Sequence, residues 1–495
     1  MKRKTFDVLF VIIASILCII AIYLPPVHGI ADQGDFERVM LPAGLDFLDR
    51  STHNFYGFAE QKYLMRFMYG RDAVLYPLRL LTVIPVTSYL YPITIAKFFC
   101  LFIGYFDTRV LAAVMCIAYI VICMFLLLRL RTGKIFADII LYALVLFVFF
   151  DGIILTMFNS LYGQSMMTVS MALFILSAVV VIQNINHLKW RHLIFLFIGC
   201  VFLLGSKLQC IVFLPLMAVM WIYIMRRTGL YKAAAVLLCL TVWQGAGGYI
   251  LNSSSLNEDT QYNSVFYGIL KDSADPQADL QSLGLSPALA ADAGKHAYLD
   301  KEEYQYPPHS ETLKTEFYDK MSNTKLIKFY ITHPARLVNA MEKTANHAFY
   351  NRIDLGTYAE ESGMPEGASH YRCAFWETAT QKLPKTLWFI VPMYLLFIAG
   401  GFYEAKKHKN LYAYLFLLLL AMGALQFPMP YLGNGNADIT KQLYLFNEVF
   451  YLGIVVSVVY LIKRLYGIKK RRLQSGCGHE NGNGNGRSCA PESEI

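Results

Sequence analysis

Apolar runs of about twenty residues recur along the 495-residue chain, separated by short polar stretches that are often basic. Each run is long enough to cross roughly 30 Å of hydrocarbon at about 1.5 Å per residue. The pattern predicts ten transmembrane helices, over 7–24, 108–128, 136–157, 166–185, 193–207, 210–225, 231–250, 386–403, 411–427 and 446–462. The expected fold class is therefore an all-α polytopic membrane protein. Two inter-span segments, 25–107 and 251–385, are far too long to be connectors. In the first, Phe36–Leu48 and Leu75–Phe102 are amphipathic and suit helices lying in the membrane interface. The second begins with turn signals at Asp275-Pro276 and Pro307-Pro308, then turns amphipathic from Lys325 to Phe349 with a break at His333-Pro334, so it reads as a mainly helical domain. The expected organisation is a membrane core over 1–250 that contains the 25–107 loop, a loop domain over 251–385, three last spans within 386–475, and a low-complexity, disordered tail over 476–495.

Composition supports the membrane reading. The chain is 56% hydrophobic and 16% charged, against about 25% charged for an average soluble protein. A net charge of +9 could suggest nucleic acid, but the basic residues sit beside apolar spans, so no nucleic-acid partner is expected. With the amino terminus inside, twenty Lys and Arg fall on cytoplasmic segments, among them Lys2 to Lys4, Arg129, Arg131, Arg226, Arg227, Lys406 and Arg471. The short outer turns hold only Lys207 and Lys441, so the positive-inside rule places both termini in the cytoplasm. Pro25-Pro26-Val27-His28 offers no small-residue cleavage site, which predicts an uncleaved first helix. The ten cysteines lie mostly inside apolar segments without paired spacing, and encode neither a disulfide framework nor a zinc site.

Ionisable residues in or beside a bilayer are costly and persist mainly when they have a role. Four clusters qualify, all at the outer ends of spans. Asp32-Gln33-Gly34-Asp35-Phe36-Glu37-Arg38 follows the first span; its two carboxylates and one cation could share a helical face, or simply form a solvated cap and an ion pair. Asp151 lies near the end of the third span, followed by Asn159-Ser160-Leu161-Tyr162-Gly163-Gln164. Lys207 occupies the tight turn between spans five and six, where it could bind an anion or snorkel to the interface. Asn434-Gly435-Asn436-Ala437-Asp438 precedes Lys441 just outside the last span, and Asp438 with Lys441 could be an ordinary i, i+3 pair. Their shared depth argues for one site better than any cluster does alone.

Carboxylates and a few cations at a membrane surface suit transfer of a sugar from a lipid carrier. A carboxylate would deprotonate the acceptor hydroxyl as it attacks the anomeric carbon. Lys207, Arg38 or Lys441 would meet the departing phosphate. Asp151, Asn159, Tyr162, Gln164, Asn434 and Asp438 are the expected pocket residues. No nucleotide-binding glycine loop, kinase motif or Ser-His-Asp arrangement is present.

The acidic pair after the first span resembles the signature of membrane glycosyltransferases of the GT-C fold. More narrowly, Gly34-Asp35-Phe36, Asp151 with Asn159 to Gly163, Tyr262 to Leu270 with Leu283-Gly284-Leu285, and Gly435 through Asn447 are similar to bacterial WsfD-type hexosyltransferases of cell-surface glycan assembly. The blocks run in order over nearly the whole chain. The resemblance implies a polyprenyl-phosphate-hexose donor, a glycan or lipid-linked acceptor outside the cytoplasm, and Asp35 as base with Asp32 as second choice. Gln164 stands where an acidic residue is commoner in the family, and Gln442 where a His is commoner; both departures bear on donor or acceptor identity rather than reaction class. Asp32 and Asp35 could chelate Mg²⁺ or Mn²⁺ through water, but a basic residue can take the metal's place at the leaving phosphate, so no cofactor is expected. Two other classes compete. A polysaccharide polymerase or ligase should concentrate arginines in a late outer loop, whereas Arg336, Arg352 and Arg372 are scattered. A transporter should show repeat symmetry and paired broken helices, and the sequence has neither.

Overall fold

The computed structural model describes residues 3–51, 53, 55–66, 87–352 and 355–479. It is an all-α polytopic membrane protein with, among the described residues, two very small sheets. Among the described residues, eight helices are long and apolar enough to cross a membrane: Lys4–Tyr23, Thr108–Leu130, Gly163–Gln183, Leu208–Arg227, Tyr231–Ile250, Leu387–His408, Leu411–Asn434 and Tyr444–Leu465. The other two expected spans are the shorter helices Ile135–Phe149 and Trp190–Leu204. The first of these stops before Asp151, whose side chain accepts from Ile153 N at 3.0 Å and so starts a separate five-residue helix, Gly152–Thr156. Fifteen residues rise roughly 22 Å, short of a full crossing.

Gly163–Gln183 is the centre of the bundle, with 78% of its apolar window buried. It packs on Thr108–Leu130 and Trp190–Leu204. Gly199 allows the latter approach, since a Cβ there would press on the Ser177 hydroxyl and the Phe174 backbone. The apolar core forms two clusters. One joins Phe10, Phe36, Tyr89, Phe150 and Tyr162; the other joins Trp221, Phe266, Ile439, Leu443 and Phe450.

Of the stretches expected to lie in the interface, the first becomes a short helix, Glu37–Ala43, ended by left-handed Gly44 and followed by the strand Leu45–Phe47. That strand pairs antiparallel with Lys62–Met65, which in turn pairs with Phe106–Asp107. The second is helical over Leu90–Cys100, and its first part lies outside the described residues. A two-stranded antiparallel sheet joins His28–Ile30 to Gly356–Tyr358, tying the two long segments together. Periodicity misses both sheets because each strand is only two to four residues long. In the second segment, helices Asn323–Thr332 and Pro334–Asn346 meet at His333: proline cannot donate to the preceding turn and disfavours helix at the residue before it. The last helix runs from Tyr444 to His479, so the expected disordered tail begins as helix; its remainder, 480–495, lies outside the described residues.

Candidate active site

Beyond the first span, His28–Ile30 runs as a strand and Ala31 N donates to Leu355 O at 2.7 Å, which directs the chain across the mouth of the bundle. Asp32 then folds the acidic segment. Its Oδ1 accepts from Gly34 N at 2.7 Å and Phe36 N at 3.2 Å, a turn closed by Gly34 at a φ of +96°. Its Oδ2 faces inward, 3.6 Å from His53 Nε2, while His53 Nδ1 pairs with Glu60 Oε2 at 2.6 Å. Asp32 is only 1% exposed. Burial pushes its carboxyl up from the usual range, against the pull of the Phe36 and Gly34 amides and His53. Burial likewise raises Glu60. The two carboxylates expected to share a face therefore part ways: Asp32 is the internal fastener of the loop, and Asp35 meets the cations.

Asp35 retains 17% exposure of its side chain. Its Oδ2 lies 2.5 Å from Lys441 Nζ, and its Oδ1 lies 2.9 Å from Arg38 Nη1. Burial acts to raise its pKa, but Lys441, Arg38 and Lys207 outweigh it and hold the carboxyl down at about 2. Lys441 is 406 positions away in sequence and almost fully buried. It also approaches Asp438 Oδ2 at 3.5 Å and lies 5.4 Å over the Tyr162 ring. Gln33 Nε2 reaches Asp438 Oδ2 at 3.3 Å, a second polar tie between the first loop and the segment before the last span. Since Phe36 belongs to one apolar cluster and Ile439 and Leu443 to the other, the Asp35–Lys441 pair sits on the seam between them.

Local structure places Lys441 where it is. Gly435 has a φ of +57°, and a Cβ there would overlap the Asn263 carbonyl oxygen, so only glycine fits. Asn263 Nδ2 donates to Asn434 Oδ1 at 2.9 Å, and Asn434 Nδ2 donates to Ala437 O at 3.3 Å. The next turn is short: Asp438 is left-handed and Ile439–Gln442 makes one helical turn. Gln164 Nε2 caps it by donating to Lys441 O at 3.0 Å.

Lys207 enters from the turn between Trp190–Leu204 and Leu208–Arg227. Its stem lies on Gly163, where a Cβ would stand 3.5 Å from Lys207 Cγ. Gln209 Nε2 binds this turn to Gln442 O at 3.1 Å. Among the described residues the Lys207 ammonium makes no hydrogen bond or ion pair. Burial first, and the Lys441 charge second, push it down to about 8, while Asp35 pulls the other way.

The structure thus brings together Asp35, Arg38, Lys207, Asp438 and Lys441, with Tyr162 and Gln164 beneath them. Tyr162 OH donates to Ala31 O at 3.2 Å and its ring meets Phe36 edge-on at 4.7 Å. Asn159 is a fastener: its Nδ2 donates to His28 O at 3.0 Å and its Oδ1 accepts from Thr108 Oγ1 at 2.7 Å. Asn434 shapes the Gly435 turn rather than reaching Asp35. Asp151 is elsewhere: besides capping its own helix it accepts from Trp376 N at 3.0 Å, anchoring the Phe375–Thr380 helix to the bundle. Gln33, His53, Glu60 and Gln209 carry no spacing signal, because their partners lie in other elements. Among the described residues no three His, Cys, Asp or Glu side chains converge to hold a metal ion.

The Asn263–Gly435 contact joins two distant sequence blocks, and a model of the YfdI N-terminal transmembrane domain matches the chain over residues 1–481, covering both. The chain belongs to that family. The YfdI domain thus takes in every element of the site, from Asp32 to Lys441. No curated protein and no solved structure matches the chain.

Proposed function

We propose that this YfdI-domain protein is a GT-C-type glycosyltransferase that moves a hexose from a polyprenyl-phosphate carrier to a cell-surface glycan or lipid-linked acceptor, as the WsfD-type resemblance implies. The observation that supports it best is the clasp of Asp35 between Lys441 and Arg38, with the uncommitted Lys207 ammonium beside it. In this resting arrangement Asp35 is too acidic to take a proton. A donor phosphate drawn to Lys207 competes for Lys441 and Arg38, and each cation it withdraws lifts Asp35 toward the range of a working base. Base and leaving-group site are thus coupled: donor binding arms the carboxylate.

The reaction balances on these groups. Asp35 accepts the proton of the acceptor hydroxyl, whose oxygen bonds to the anomeric carbon. The bond from that carbon to the phosphate oxygen breaks, and polyprenyl phosphate departs with its new charge met by Lys207, Lys441 and Arg38. Asp32, with one oxygen on backbone amides and the other turned toward His53, is the poorer candidate for base. In this reading no metal is required, the protein is a multi-pass component of a bacterial cell membrane, both termini are cytoplasmic and the site faces outward. Membrane lipids are its surroundings and nucleic acid plays no part. The test is release of polyprenyl phosphate from a labelled polyprenyl-phosphate hexose by the purified protein with acceptor glycan present. A transporter leaves the donor intact, and a polymerase or ligase consumes an oligosaccharide-linked carrier instead.

A further inference from the structure

At the end of the bundle remote from Asp35, a cavity of about 450 Å³ opens between the helices Thr108–Leu130, Gly163–Gln183, Leu411–Gln426 and Tyr444–His479. Its walls are apolar for most of their length, with Leu127, Ile175, Leu419 and Val455 among them. Along the last helix it extends from Glu448 to Lys463, which is roughly 22 Å at 1.5 Å per residue, more than the roughly 15 Å of one leaflet's hydrocarbon. The end nearer the site is shut: Thr168 Oγ1 donates to Glu448 Oε1 at 2.5 Å and lies 3.2 Å from Tyr444 OH. A donor whose phosphate sits at Lys441 would have to part this pair to thread its chain down the slot.

The open end has the opposite character. Arg129, Arg131 and Lys463 stand on its rim. Arg131 is paired with Asp7. Among the described residues the Arg129 guanidinium meets only the neutral Gln183 side chain, whose Oε1 accepts from Nη1 at 3.0 Å. Lys463 has no ion pair among the described residues. Glu404 is paired with Arg464 at 2.9 Å and with His408 at 3.8 Å, while Asp138 is turned to the Thr132 backbone and hydroxyl, each at 2.7 Å, and pairs with neither rim cation among the described residues. Two cations without an ion-pair partner among the described residues thus sit at the mouth of a chain-length apolar slot between transmembrane helices. Such a combination selects for a lipid that carries an anionic headgroup.

We propose that this slot is a binding site for one anionic phospholipid of the leaflet opposite the catalytic face, its phosphate held by Arg129 and Lys463 and one acyl chain laid along the last helix toward Glu448. The site is separate from the donor's, and the proposal does not depend on the proposed reaction. Juxtamembrane cations each contribute about a fivefold gain in affinity for anionic lipid.

The experiment is native mass spectrometry of the full-length protein titrated with dioleoyl phosphatidylglycerol or dioleoyl phosphatidylcholine. The expected result is one tightly retained phosphatidylglycerol. The variant Arg129→Gln/Lys463→Gln should lose roughly 25-fold in preference for it over phosphatidylcholine, whereas Arg226→Gln/Arg227→Gln at another helix end should keep it. If the double variant fails to fold, Lys463→Gln alone, on an exposed side chain, should still lose about fivefold. Equal retention of the two lipids, or an undiminished phosphatidylglycerol preference in folded variants, overturns the proposal. Displacement of the bound lipid by polyprenyl phosphate at equal concentration would also overturn it by assigning the slot to the carrier.

Discussion

Replacing Lys207 with Met should weaken donor binding while leaving the protein at least as stable as the parent. The fall of this ammonium from 10.5 to about 8 corresponds to roughly 3 kcal/mol against the charged form. Methionine keeps most of the stem that lies on Gly163 and removes that penalty, so the thermal midpoint of Lys207→Met should stay level or rise. Donor affinity should move the other way. A hydrogen bond to a charged group contributes roughly 1.5 to 3 kcal/mol, or about ten- to more than a hundredfold in apparent Kd. The pH dependence adds a second readout. Because the folded-state value lies below the unfolded one, the native protein holds fewer protons than the unfolded chain between about pH 8 and pH 10.5. This group's contribution to stability therefore rises with pH across that window. Donor affinity falls instead as pH rises through about 8, when the ammonium discharges. The proposed donor, a polyprenyl-phosphate hexose, is a phosphodiester with a fixed single charge, so the bend belongs to the protein and should vanish in Lys207→Met. The assay is a titration with a short-chain polyprenyl-phosphate hexose from pH 6 to 9.5, alongside thermal unfolding. Parent-like affinity with the same bend near pH 8 in Lys207→Met would refute the reasoning and leave the phosphate to Arg38 and Lys441.

Three further outcomes follow from the same geometry. Asp35→Asn should lower turnover by about 10² to 10⁴ yet bind donor as tightly as the parent or more so, since Lys441 and Arg38 are released from the carboxylate; steady-state rates and donor titration separate these effects. Asp32→Ala should act mainly on stability, because it strands the buried Phe36 amide at roughly 1 to 3 kcal/mol for an unsatisfied group and frees the exposed Gly34 turn, and denaturant unfolding should show the loss. In a cysteine-free background, an impermeant thiol reagent on intact cells should label Lys301→Cys but not Lys406→Cys, both exposed positions; labelling of the second alone would put the site on the cytoplasmic side.

Apolar run length and flanking charge make the membrane class legible in the sequence, because crossing hydrocarbon imposes the same length and polarity on every span whatever its neighbours. The candidate site was partly legible for a related reason: an ionisable residue at a helix end beside a bilayer stands out against apolar surroundings, as Asp35, Lys207 and Lys441 do. What each residue does there is another matter. Asp32 and Asp35 are three positions apart and chemically alike, yet one is buried on the Gly34 and Phe36 amides and turned toward His53 while the other is clasped by Lys441 and Arg38. Asp151 looked as suitable as either until its oxygens proved to be taken by Ile153, Trp376 and Glu377 amides. The strand that aims the acidic loop exists only because Gly356–Tyr358 lies beside it. Span length and charge bias are local properties that a chain carries unfolded. The role of a carboxylate depends on its solvation and on which cations reach it, and here the decisive partner arrives from 406 residues away, so only the tertiary structure could decide it.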